Sequence, residues 1–100
     1  MASNKIKSAP AKEWLVYILK CGDGSYYTGI TNDLTKRLKA HAAGRASKYT
    51  RARLPVKVVH RERQSNKSTA LSRELEIKKL AREQKKLLIM SLGKKKNPPA

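Results

Sequence analysis

Apolar positions fall in short runs near the amino end of the chain and at helical intervals further along it. Trp14 to Cys21 (WLVYILKC) is short and rich in β-branched and aromatic residues, which predicts a strand. Tyr26 to Thr31 predicts its hairpin partner, across the turn-forming stretch Cys21-Gly22-Asp23-Gly24-Ser25. Asn32 or Asp33 can cap a helix from about Leu34 to Ala43, with Gly44 as its stop. Arg45 to Leu54 predicts a polar, basic connection. Pro55 then opens a third strand, Val56 to Arg63, with Val56, Val58 and His60 on one face. Ser68 or Thr69 caps a second helix running to about Ala81, and residues 83–92 predict a short third helix broken by Gly93.

The pattern predicts an α+β (α/β) domain over residues 13–92, in the order ββαβα with a trailing helix. Its core is a small three-stranded, mainly antiparallel sheet flanked by helices. Residues 1–12 read as a flexible leader and 93–100 as a disordered basic tail. The hairpin leaves two registers open. A two-residue Asp23-Gly24 turn pairs Lys20 with Tyr27 and sends Tyr17 and Tyr27 to opposite faces. A three-residue loop, Gly22-Asp23-Gly24 with Gly24 left-handed, shifts the register by one and puts both tyrosines on one face.

Charge narrows the class of partner. The 100 residues carry 24 Lys and Arg against 7 Asp and Glu, a formal +17. Without the six lysines of the two ends, segment 13–93 keeps 18 basic against 7 acidic residues, or +11. The excess belongs to the folded part and favours a polyanion, nucleic acid above all. A soluble cationic surface with no specific partner is the plainer reading. Cys21 is the only cysteine, which excludes an internal disulfide and a cysteine-rich zinc site. No run is long and apolar enough for a signal peptide or a membrane span, so the expectation is a cytoplasmic protein, with a monomer favoured.

Polar residues on core-facing sides carry the candidate chemistry. On the second helix Ala70, Leu71, Leu75, Ile77 and Ala81 share a broad sector, and Glu74 and Lys78 fall inside it. Arg73, Glu76 and Lys79 point to solvent. An inward carboxylate needs a cation, hydrogen bonds or a metal, and an i,i+4 pair with Lys78 is the plain solution. On the first helix Leu34, Leu38 and Ala42 form the apolar stripe. His41 lies within that stripe, Arg37 borders it, and Lys36 and Lys39 face outward. Taken singly, each is an ordinary core histidine, rim arginine or strand tyrosine. Together, two tyrosines, Arg37, His41 and one inward Glu74 gather around one sheet.

That constellation resembles the GIY-YIG nuclease domain over roughly residues 13–85. Tyr17 stands at the tyrosine of the first motif, and Tyr27-Thr28-Gly29 matches the second in its Tyr and Gly. Gly29 to Leu34, Arg37-Leu38 and His41 fit the helix after the motifs, and Ala70-Leu71 with Glu74 and Ile77 to Leu80 fit the metal-ligand helix. Val16 replaces the first motif's glycine and Thr28 the second's isoleucine. The length resembles the small stand-alone bacterial branch, the uncharacterised UPF0213-type proteins.

The resemblance implies hydrolysis of nucleic-acid phosphodiesters with one divalent ion, Mg²⁺ or Mn²⁺, held by Glu74. Arg37 would fork onto a phosphate oxygen and Tyr17 would take a proton from water, although its ordinary pKa of ~10 makes it a weak base unaided. His41 and Tyr27 are candidates to relay the proton or position the water. Arg45, Lys48, Tyr49, Arg51 and Arg53 of the basic loop, with Lys78, are the expected nucleic-acid contacts, Tyr49 by stacking on a base. The expected function is a metal-dependent DNA endonuclease of a repair or processing type, structure-selective or unspecific because no base-reading module is evident. The alternatives are a non-enzymatic basic nucleic-acid-binding module that keeps the fold, and a ribosome- or nucleoid-associated protein whose site is structural.

Overall fold

In the computed structural model, which describes residues 13–95 and their side chains to residue 91, the hairpin takes the odd-length loop. The Cys21 N–H donates to the Ser25 carbonyl at 2.8 Å and the Gly24 N–H to the Cys21 carbonyl at 2.9 Å. Gly24 sits at φ 86, the left-handed conformation that closes such a loop without a Cβ clash. Strand β1 (Trp14–Lys20) therefore pairs with β2 (Tyr26–Thr31) in the register Lys20 to Tyr26 and Tyr17 to Gly29. The leader 1–12 and residues 96–100 lie outside the described residues.

Helices α1 (Leu34–Ala42) and α2 (Lys48–Arg51) come before β3 (Lys57–Gln64), and α3 (Lys67–Lys78) and α4 (Arg82–Lys95) after it. The sheet is antiparallel in the order β2-β1-β3, so the predicted α+β architecture is the observed one, with β1 in the middle. Asp33, not Asn32, caps α1 by accepting the Lys36 N–H.

Four local expectations change. The connection 45–54 contains α2, capped by the Ser47 hydroxyl. Asn66, not Ser68 or Thr69, caps α3, with Thr69 closing a capping box around it. Helix α4 runs through Gly93, where a break was expected. A glycine inside a helix costs about 1 kcal/mol, too little to stop one already seeded by its neighbours. Finally, a bulge between Ile18 and Leu19 separates the predicted face of β3: Val58 pairs with Leu19 but His60 pairs with Ile18, on the other side of the sheet.

The two sheet faces do different work. Val16 and Ile18 point to α3 and α4, forming a core with Ala70 and Ile77 and with the partly buried Trp14, Tyr26, Ile30, Val59, Leu88 and Ile89. Helix α3 is rolled relative to the expected sector. Ala70 and Ile77, two turns apart, define its buried line, while Leu71 and Leu75 stand exposed and Ala81 lies past its end. Arg73 and Glu74 flank that line on either side, so Arg73 does not face solvent as expected.

Arg73 instead forks onto Glu62 of β3 at 2.8 and 3.0 Å, while the His60 Nε2–H donates to the same carboxylate at 2.7 Å. Burial alone would raise the Glu62 pKa; the hydrogen bonds from His60 and Arg73 outweigh it and hold it at about 2. A depressed carboxylate stabilises the fold above its unfolded pKa and loses that contribution as pH falls toward the folded one. Thermal melts of wild type should therefore lose stability from about pH 4.5 down to about 2. Glu62→Gln should be less stable at neutral pH by about 2–3 kcal/mol and lack that part of the acid dependence.

Candidate active site

The opposite face of the sheet holds the candidate chemistry. Tyr17 pairs with Gly29 and Leu19 with Tyr27, so both tyrosines emerge on one face, with ring centroids 6.4 Å apart. Tyr17 is 1% exposed and Tyr27 half-buried. The glycine of Tyr27-Thr28-Gly29 is required by the first phenol. A Cβ at Gly29 would lie 2.7 Å from the Tyr17 hydroxyl oxygen and 3.2 Å from the Tyr27 ring. Gly29→Ala should thus push the Tyr17 hydroxyl off its partner; we expect a loss of activity of roughly 10²-fold with a modest fall in melting temperature. A crystal structure of that variant would show the displaced phenol.

Helix α1 brings His41 under the pair. Its ring is fully buried, 5.8 Å from Tyr17 and 5.2 Å from Tyr27, edge-on to both. Nε2 lies 2.9 Å from the Tyr17 hydroxyl and Nδ1 2.9 Å from Thr50 Oγ1. The Thr50 hydroxyl donates to the Ser47 carbonyl at 3.3 Å, leaving its oxygen to accept from Nδ1–H. Nε2 then carries a lone pair, and Tyr17 donates to it. Ser47 caps α2 while Thr50, on the same helix, orients His41. The polar loop concealed this role because its only signal is the spacing of Ser47, Thr50 and a histidine nine residues earlier.

The site is charged on two sides. Burial first, then the Tyr27 phenol and the Glu74 carboxylate, push the Tyr17 pKa well above the usual tyrosine value, while the Arg37 guanidinium pulls it down. Burial, and then the Arg37 charge, hold His41 below the ordinary histidine range, so at neutral pH it is an uncharged acceptor. Arg37 itself is exposed on α1, at the rim as expected. The structure thus gathers Tyr17, Tyr27 and His41 in direct contact, with Arg37 and Glu74 acting on Tyr17 through their fields.

Glu74 is mostly buried, its side chain 15% exposed, and Lys78 Nζ lies 3.3 Å from its carboxylate. The i,i+4 pair is therefore formed, with Lys78 half in solvent rather than inside the sector. Among the described residues no three His, Cys, Asp or Glu side chains converge as a metal cage. One carboxylate is still a fitting donor for Mg²⁺ or Mn²⁺, which keep waters and take substrate phosphate oxygens rather than an all-protein shell.

The expected nucleic-acid contacts divide. Arg45, Lys48 and Arg51 line one cavity of about 390 Å³ beside Gly44 and Ser47. Arg53 is turned inward: it pairs with Asp23 at 3.0 Å, donates to the Tyr49 carbonyl and lies 3.8 Å over the Tyr49 ring. Tyr49 also stacks on Tyr27, with centroids 6.1 Å apart. A base stacking on the face that Arg53 covers has to displace that guanidinium.

Comparison with known proteins agrees with this geometry. The GIY-YIG catalytic domain matches residues 13–87. A UPF0213 protein of Clostridium perfringens is 60% identical over 76 residues, 76% of this chain and 82% of that one. A UPF0213 protein of Natronomonas pharaonis is 47% identical over 79 residues, 79% of this chain and 93% of that one. Two solution NMR structures are similar: the UPF0213 protein of Bacillus halodurans, with TM-score 0.52, 44% identity and coverage of 78% and 83% of the two chains, and a protein of E. faecalis, with TM-score 0.59, 37% identity and coverage of 83% and 88%. By its sequence match, its sheet and the placement of its two motif tyrosines, the chain belongs to the GIY-YIG family, alongside UPF0213 proteins of bacteria and archaea.

Proposed function

We propose that the protein is a metal-dependent endonuclease that hydrolyses phosphodiester bonds in DNA, structure-selective or unspecific, in repair or processing. The family is one of nucleases, so nucleic acid is the substrate class, and its members generally use a divalent metal ion. The observation that carries the reading is the 2.9 Å hydrogen bond from the Tyr17 hydroxyl to an uncharged His41 Nε2, within the fields of Arg37 and Glu74. Apart from binding nucleic acid, a fold-only role gives no reason to keep a buried phenol–imidazole pair beside a cation and a carboxylate.

Glu74 would hold Mg²⁺ or Mn²⁺, and Lys78 would release the carboxylate to it. When bound, the ion supplies Lewis-acid stabilisation of charge on the departing oxygen. Arg37 clamps a non-bridging phosphate oxygen and offsets charge in the transition state. Tyr17 accepts a proton from the attacking water while its own moves to His41 Nε2, and Thr50 keeps Nδ1 protonated so that Nε2 stays the acceptor. Because Tyr17 is buried, that step would follow substrate binding, with the half-buried Tyr27 admitting and positioning the water. Arg45, Lys48 and Arg51 supply phosphate contacts, and Lys78, once freed, adds another. Tyr49 and Arg53 join them only if Arg53 leaves its place on the ring.

The Glu74–Lys78 pair is the observation that favours the second reading, a basic nucleic-acid-binding module without turnover, because it neutralises the carboxylate with no ion needed. The two separate in one assay. Purified protein with Mg²⁺ or Mn²⁺ should cut at least one of nicked, branched, single-stranded or supercoiled DNA, and a chelator should stop it. All four left intact across a wide range of protein ratios would sink the nuclease reading.

A further inference from the structure

We propose that a groove between β3 and the start of α1 is a track for the nucleic-acid backbone leading away from the reacting phosphate, with Arg61 and Arg63 each holding one phosphate of the strand. The inference rests on the nuclease reading and says where the rest of the substrate strand lies.

The groove encloses about 550 Å³ and is lined by Glu13, Leu15, Leu34, Thr35, Arg61 and Arg63. The register fixes its relation to the candidate site. Arg61 pairs directly with Tyr17 across β1 and β3, and Arg63 with Leu15. Directly paired residues share a face with Cβ atoms about 5 Å apart, so Arg61 springs from beside the buried tyrosine. Arg63 follows two residues on, ~6.7 Å along the strand, which is the order of the step between neighbouring phosphates of one strand. The other wall begins with Leu34 and Thr35, on the helix that carries Arg37 and His41. The groove thus lies beside the candidate site, on the Tyr17 face of the sheet, and follows β3 from Arg61 to Arg63.

The chemistry of the walls points to a phosphodiester backbone. Among the described residues the Arg61 side chain makes no ion pair or hydrogen bond, so its donors are open. Among the described residues Arg63 pairs only with Glu13, at 3.2 Å, with the two side chains 81% and 61% exposed. A pair that open holds little energy, and a phosphate displaces the carboxylate. Both arginines present planar forks suited to phosphate oxygens. Their two-residue separation along β3 suits neighbouring phosphates of a chain better than one small anion.

The test is binding of a fluorescein-labelled single-stranded DNA oligonucleotide followed by anisotropy, in chelator to prevent cleavage, over a series of salt concentrations. Arg61→Ala/Arg63→Ala should bind roughly tenfold more weakly at low salt, and the slope of log K against log salt should fall by about 1.4, two phosphates' worth for a single strand. Lys79→Ala/Lys86→Ala removes the same charge from the helices that cover the other sheet face, and should change both quantities far less. Glu13→Gln should bind more tightly, which keeps the test sound if the double arginine variant folds poorly. Equal losses in the two double variants, or no gain with Glu13→Gln, would overturn the track and leave the nuclease reading standing. Wild type that binds no nucleic acid would remove both together.

Discussion

Tyr17→Phe should fold and bind nucleic acid like wild type, yet cut it about 10³-fold more slowly, within the range expected when a general base is removed. Only one oxygen is lost. The ring keeps its packing against Gly29, Tyr27 and His41, so the expected stability cost is about 1 kcal/mol, from a buried Nε2 left without its donor. A rate that falls while the melting curve and the binding isotherm hardly move marks chemistry, not folding. The pH profile adds a second readout. Protonated His41 cannot accept the tyrosine proton, so wild-type activity should fall as pH drops through the His41 pKa. Because burial and Arg37 depress that value, the acid limb should lie below the ordinary histidine range. Cleavage that persists in Tyr17→Phe at the wild-type rate would mean that the phenol is not part of the reaction, or that a contaminant does the cutting.

Glu74→Ala should abolish divalent-dependent cleavage, by about 10³-fold or more, since several kcal/mol of charge stabilisation would go with the ion. Binding should move the other way. In chelator the variant should hold DNA as well as wild type or better, because a negative charge is gone and Lys78 is freed from its 3.3 Å pair. The fold should tolerate the change, because the strong carboxylate–arginine pairing of this face belongs to Glu62 and Arg73. Isothermal titration with Mn²⁺ would check the first step directly, with heat for wild type and none for Glu74→Ala. Equal heats would place the ion elsewhere. A module without turnover shows the gain in binding but no cleavage in either protein.

The sequence made some parts of this site readable and concealed others, for physical reasons that differ. Tyr17 and Tyr27 were legible as a geometric condition, because loop parity alone decides whether they share a face, and Gly24 at the left-handed position resolves it. Arg37 and His41 were legible because four residues on a helix return to one side. Glu74 was legible as an inward carboxylate, but the roll of α3 was not. Leu71 and Leu75 claim the interior by hydropathy, but the contacts that fix the roll, Ala70 and Ile77 on the sheet and Arg73 on Glu62, come from elements distant in sequence. The bulge that reverses His60 leaves no mark in the strand, which carries neither a glycine nor a proline to flag it. Thr50 was hidden for a similar reason: a buried hydroxyl on a four-residue helix has neither periodicity nor unusual composition around it.

Among the described residues, the order β2-β1-β3 leaves the outer edge of β3 without a strand neighbour. An open edge of that kind is a template on which a second sheet can assemble, and chains that keep one tend to guard it with charge. Lys57, Arg61 and Arg63 stand exposed along this strand. They make stacking against another copy electrostatically costly, and their effect on solubility should weaken as salt screens it. The charges of β3 therefore bear on the free protein as well, by opposing the pairing of its sheet edge with that of another copy.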